Sequence, residues 1–249
     1  MLHVIGTDTH LELGEGPFRI RRIRPGLGIR SDDTGFGPLG LVDRAHLSAG
    51  LVVKMHEHVD DEIVSYLRTG SLTHTDSDGN SETVTPTRLM VMNAGAGFSH
   101  EERMPEGEDI HMLQIFLRPE APGLEPAVQF AELDEAARSD GWRAIVAPRG
   151  AGGEAPATVR TEAWIHDAHV AAGASIALPE RDGVDRWLYV FDGRVGLPDG
   201  RMLRAGEALA APAGQPLESV RADRDSDLVL FELGADARYT MAGSLSRGR

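Results

Sequence analysis

His56 and His58 flank a single residue, and so do His100 and Glu102, with His100 forty-two positions after His58. Imidazole nitrogens and a carboxylate are donors that suit a borderline divalent ion, among them iron(II), manganese(II), nickel(II), copper(II) and zinc(II). In a β-strand, side chains two apart share a face. Each triplet therefore aims two donors the same way, and a barrel with both strands on its wall converges all four on one ion. The same period turns Glu101 away and leaves Glu102 as the donor. Four protein donors on an octahedral ion leave two positions for water, substrate or dioxygen, the open shell of a reactive or sensing site.

The flanking residues indicate the elements that must position these donors. The first pair sits in Gly50-x5-His56-x-His58-x3-Glu62-x7-Gly70. Its glycines punctuate turns, and residues 62–67 are rich in β-formers and read as a strand. Ahead of the second pair stand Pro86 and the glycine-rich turn Asn93-Ala94-Gly95-Ala96-Gly97, which leads through Phe98 and Ser99 into His100. A hairpin around Asp78-Gly79 lies between them.

Over residues 37–119 this pattern resembles the pirin branch of the cupin superfamily, including bacterial members described as quercetin dioxygenases. The resemblance implies an all-β fold and a mononuclear non-haem metal held by His56, His58, His100 and Glu102. Fe2+ is the expected ion, with Mn2+, Ni2+, Cu2+ and Zn2+ as alternatives. Glu62 is read as a carboxylate beside the ligands, hydrogen-bonding an imidazole or a bound water and able to accept a substrate proton; direct ligation is the other reading. The activity implied is the opening of a flavonol such as quercetin by dioxygen. The alternative is a metal-dependent regulatory binding protein, a redox-sensing cofactor of a transcription factor or metabolic enzyme, without turnover. Asp60 and Asp61 are expected at the mouth of the site, where they would repel an anionic flavonolate.

The chain repeats. Gly50, Tyr66 and Gly70 recur 123 positions later as Gly173, Tyr189 and Gly193. A repeat this long is two copies of one domain, not a solenoid unit. In the second copy Pro179, Arg181 and Asp185 stand where His56, His58 and Glu62 stand in the first, and Ser219 and Arg221 replace His100 and Glu102. Barrel construction therefore does not itself require the histidines. The expected architecture is two tandem cupin barrels (double-stranded β-helix, jelly-roll). Residues 1–120 form the metal-binding domain and 121–155 a linker with a short helix near 132–138. Residues 156–249 form a degenerate barrel without metal ligands, ending in a frayed tail.

The remaining candidates have bland readings. His74 and His111 are expected to be structural or exposed, and His166 and His169, three apart on a strand, face opposite ways. Met90, Met92, Met104 and Met112 are expected to pack the barrel interior. Arg19, Arg21, Arg22 and Arg24 read as the charged outer face of a strand.

Composition bounds the partners. The 249 residues are 41% hydrophobic and carry a net charge of −14. That charge disfavours direct nucleic-acid binding, which depends on neutralising phosphates. No apolar run approaches the roughly 18 residues of a membrane helix, and the first residues lack a basic start and apolar core, so neither a membrane span nor a leader is expected. The absence of cysteine removes disulfides, thiolate ligands and thiol nucleophiles. The expectation is a cytoplasmic monomer whose partner is a small aromatic substrate or a protein.

Overall fold

The computed structural model describes residues 1–29, 31–139, 141–153 and 155–248. Among them regular structure is all strand apart from one 3-10 turn, Thr7–Thr9, and no helix is long and apolar enough to cross a membrane. The strands form two cupin barrels, one in each half of the chain.

The first barrel has two walls. One is a seven-stranded sheet in which Glu62–Thr69, Ile110–Leu117 and Leu39–Leu47 lie side by side. The other is a four-stranded sheet in the order Val52–His58, Phe98–Arg103, Leu72–Asp76, Ser81–Val84. Between them lies an apolar filling that includes Leu67, Leu72, Met90, Met104 and Met112. Met90, Met92, Met104 and Met112 are all at most 2% exposed, as unbranched thioethers filling irregular core gaps should be. The strand Phe18–Ile23 buries Ile20 and Ile23, exposes Arg19 and Arg21, and pairs Arg22 with Asp43 at 2.7 Å.

The second barrel is one nine-stranded sheet closed around its own core, with Leu188, Val190, Leu209 and Leu228 inside. A third core joins the barrels: Val64, Tyr66 and Leu113 of the first pack in one cluster with Ile165, Trp187, Val229 and Phe231 of the second. The repeated glycines serve the same end in both halves. Gly70 and Gly193 have φ of 75° and 92°. A side chain at either would meet the backbone of the strand beside it, at Asp109 and Asp225, so only glycine makes these turns without strain.

Three expectations about organisation need correction. Residues 121–155 are not a separate linker: Ala127–Glu132 pairs with Arg88–Asn93 of the first barrel, and Arg143–Pro148 pairs with Ala163–Val170 of the second. No helix forms at 132–138. Glu132 ends a strand and turns follow, in which Arg138 is buried and bonded to Glu135 and Asp227. The long-range pair of Arg138 with Asp227 outweighs the weak propensity of a segment too short to nucleate alone. The tail is not frayed up to Gly248: Ser244, Leu245 and Ser246 are bonded to Asp61, and Ser246 also accepts from Arg118. Arg249 lies outside the described residues. The ends of the chain thus cross over, for His3–Ile5 pairs with Ala208–Ala211 of the second barrel while the tail docks on the first.

Candidate metal centre

The strands Val52–His58 and Phe98–Arg103 are antiparallel neighbours, with His100 directly opposite His56 and Phe98 opposite His58. The period of two turns both pairs toward the interior. One donor nitrogen from each of His56, His58 and His100 falls within a group spanning 4.8 Å. The Nε2 atoms of His56 and His100 are 3.1 Å apart, and the three ring centroids lie 4.5 to 5.3 Å from one another. His58 and His100 are buried, and His56 is half-buried.

The far nitrogens show how the rings are aimed. His56 Nδ1 donates to the Lys54 carbonyl at 2.8 Å. His58 Nδ1 faces Asp61 Oδ2 at 3.5 Å, long for a formed hydrogen bond. His100 Nδ1 lies 3.2 Å from His74 Nδ1. An Nδ1 that donates outward leaves Nε2 as a lone pair, the form a metal needs. Burial, with the neighbouring imidazoles, pushes the His100 pKa down to about 2, so that ring stays neutral.

Glu102 stands apart from the three imidazoles. The strand register shifts between His100 and Glu102, and its carboxylate is not in the close group. It lines the same cavity as His56 and His58. It is 4% exposed, and burial pushes its pKa up to about 7. Its Oε1 and His58 Nε2 are buried without any hydrogen-bond partner. Buried orphans of this kind are costly, and a cation between imidazole nitrogens and a carboxylate would satisfy them both. The donor set fits a borderline divalent ion.

Glu62 does not touch the ligands. It is fully buried, accepts from the Arg160 side chain at 2.7 Å and backbone at 2.5 Å, and takes a third bond from Asn93. Its carboxylate joins the barrels instead of serving a bound water or an imidazole. Asp60 and Asp61 are also displaced from their expected place. They are 7% and 0% exposed, so neither offers charge to the mouth. Asp60, at φ 52°, accepts the Gly123 N–H. Asp61 accepts from Ser244 and Ser246; burial would raise its pKa, but the nearby His58 ring and the bonds from the serines hold it below the usual carboxylate value.

His74 is the residue that spacing undervalued. It is fully buried, and its Nε2 is 3.1 Å from Asp76. A period-two signal, His74-x-Asp76, was present in the sequence, but nothing local tells that this strand lies beside His100. His111 is exposed and its ring packs at a tilt against His46, with centroids 4.4 Å apart. His166 and His169 bind separate carboxylates, Glu232 and Asp227.

Beside the imidazoles opens a cavity of about 300 Å³, at the small end of the range for small-molecule sites. Phe18, Met112, Phe116 and Leu245 give it apolar walls, and Gln114 and the Arg22–Asp43 pair are its polar groups away from the candidate donors.

A bicupin with three histidines converging in its first barrel is thereby defined. Residues 34–117 match the Pirin family and residues 144–233 match the quercetinase C-terminal cupin domain. The chain belongs to the pirin family. Its relatives include a quercetin 2,3-dioxygenase of Escherichia coli, 28% identical over 210 residues (80% of this chain, 84% of the relative). A Mycobacterium bovis protein is 30% identical over 182 residues (72% and 73%). The fold matches YhhW from Escherichia coli with a TM-score of 0.82 at 24% identity, covering 94% of this chain and 97% of that one. A second structure of YhhW, in complex with nickel(II), matches with a TM-score of 0.81 at 23% identity, covering 94% and 99%.

Proposed function

We propose that the chain is a metal-dependent dioxygenase acting on a small hydroxylated aromatic of the flavonol type. The observation that carries this reading is the convergence of three imidazole donors on the edge of an apolar cavity of about 300 Å³. A concave apolar site suits a flat aromatic better than a protein surface. The quercetin 2,3-dioxygenase relative and the nickel(II) complex of YhhW support it, and neither Asp60 nor Asp61 lines the cavity that an anionic flavonolate would enter.

His56, His58 and His100 hold the ion through Nε2, and Glu102 is the fourth ligand. Iron(II) is the ion proposed, with nickel(II) the alternative that YhhW supports. The bound ion supplies Lewis acidity, lowering the pKa of a substrate hydroxyl. Phe116 and Met112 pack the ring system, Gln114 offers a hydrogen bond to an oxygen, and Leu245 closes one side. Glu62 has no part in proton transfer, since Arg160 and Asn93 occupy its oxygens.

Protein loaded with iron(II), and separately with nickel(II), is to be mixed with quercetin under oxygen, following loss of flavonol absorbance and release of carbon monoxide. Turnover is expected, and is expected to vanish in the double variant His56→Ala, His100→Ala. No turnover with either ion, or turnover that survives the double substitution, overturns the reading.

A further inference from the structure

His74 lies one strand away from the candidate ligands and coordinates nothing, because both of its nitrogens are engaged. We propose that His74, backed by Asp76, is a positioning residue of the metal centre: it accepts the Nδ1 proton of His100 and so fixes the tautomer that turns Nε2 to the ion. This rests on the reading of His56, His58 and His100 as a metal site.

The direction of the chain of bonds follows from its far end. Asp76 Oδ1 accepts the backbone N–H groups of Asp78 and Asn80 at 3.0 and 2.9 Å. Oδ2 takes the Asn80 side-chain amide at 2.8 Å and faces His74 Nε2 at 3.1 Å. A carboxylate that already accepts three N–H groups has no use for a proton of its own, so the hydrogen on the His74 contact sits on Nε2. A neutral imidazole with its hydrogen on Nε2 has a bare Nδ1. Across 3.2 Å that bare nitrogen faces His100 Nδ1, and two bare nitrogens at that distance would repel. His100 therefore carries its hydrogen on Nδ1 and its lone pair on Nε2, 3.1 Å from the equally bare His56 Nε2, a pair whose repulsion a cation between them would relieve.

The rings are held in this geometry by packing. His74 is 0% exposed, stacks within 13° of Phe98, and meets Phe130 edge-on with centroids 5.7 Å apart. The Asp78-Gly79 turn closes the hairpin that supplies the Asp78 and Asn80 donors. A histidine kept only for packing would need no particular proton direction. This one has a direction set by the three donors that hold Asp76 at one end and passed to a candidate ligand at the other.

Two measurements test the relay. In the zinc(II)-loaded wild type, long-range 15N correlation of the imidazoles is expected to show His100 protonated on Nδ1 and His74 on Nε2. The opposite tautomer at either ring overturns the proposal, and this needs no variant. Nickel(II) affinity, by chelator competition, is expected to fall about 10- to 100-fold in His74→Phe, which keeps a ring between Phe98 and Phe130 but offers no acceptor. His74→Gln restores an acceptor toward His100 and a donor toward Asp76, and is expected to recover most of the loss. Unchanged affinity in His74→Phe, or no recovery in a folded His74→Gln, overturns the relay alone. Wild type that takes up neither zinc(II) nor nickel(II) overturns the metal reading itself.

Discussion

A histidine can bind a cation only through a nitrogen that carries no proton, so the partner of the far nitrogen matters as much as the ligand itself. Lys54, Asp61 and His74 fill that place for His56, His58 and His100 in turn. Asp61 does a second job, since it also holds residues 244–246. Asp61→Asn is expected to weaken nickel(II) binding by about tenfold, near the lower limit for a carboxylate behind a metal-bound imidazole, because the 3.5 Å contact is long. Calorimetric titration checks it. Its chain neighbour should behave in the opposite way. Glu62→Gln leaves Arg160 buried and uncompensated, a loss of about 3–5 kcal/mol when one partner of a buried pair is removed. The melting temperature should fall, with nickel(II) affinity in the folded protein unchanged. A large loss of affinity there would return Glu62 to the metal site.

At the level of strands and segments, the convergence of His56, His58 and His100 was legible because strand periodicity fixes which residues share a face and the pirin-like spacing set the two triplets on one barrel, while the place of Glu102 outside the close group was not. The residues behind them were not legible, because their partners come from far along the chain: Arg160 for Glu62, Ser246 for Asp61, and His100 for His74. Residues 132–138 misled for a related reason, a helix-favouring composition overruled by the ion pair of Arg138 with the distant Asp227. The tail segment makes its own prediction. Leu245 is part of the cavity wall, so Leu245→Trp should fill space that the proposed substrate would occupy. It should raise the KM for quercetin by about tenfold, ~1.4 kcal/mol of binding, while nickel(II) affinity stays as in wild type. Steady-state kinetics beside metal titration separates the two effects.

For the whole molecule the decisive feature is the core shared between the barrels, with its rim of charged groups. Tyr66 of the first barrel donates to Asp167 of the second at 2.6 Å, and Arg68 reaches Asp227 at 3.3 Å. Thermal unfolding should therefore be one cooperative transition, checked by agreement of calorimetric and van't Hoff enthalpies. Burial alone would raise the pKa of Asp227 and Glu232. Bonds from His169 and Arg138 to the first, and from His166 and Arg181 to the second, hold both below their usual values. A carboxyl depressed in the folded state binds its proton more weakly there than in the unfolded chain. Its contribution is thus complete above the ordinary carboxylate range and is lost as pH falls through the folded values. The melting temperature should drop below about pH 4, and Asp227→Asn should shrink that drop.

The crossed ends have a mechanical consequence. His3–Ile5 is a strand of the second barrel, and residues 244–246 are strapped to the first. A single protease cut between the barrels, near Pro122, would free neither product, because each fragment would still grip a terminus belonging to the other. The nicked protein should elute as one particle under native conditions and separate into two bands only in denaturant.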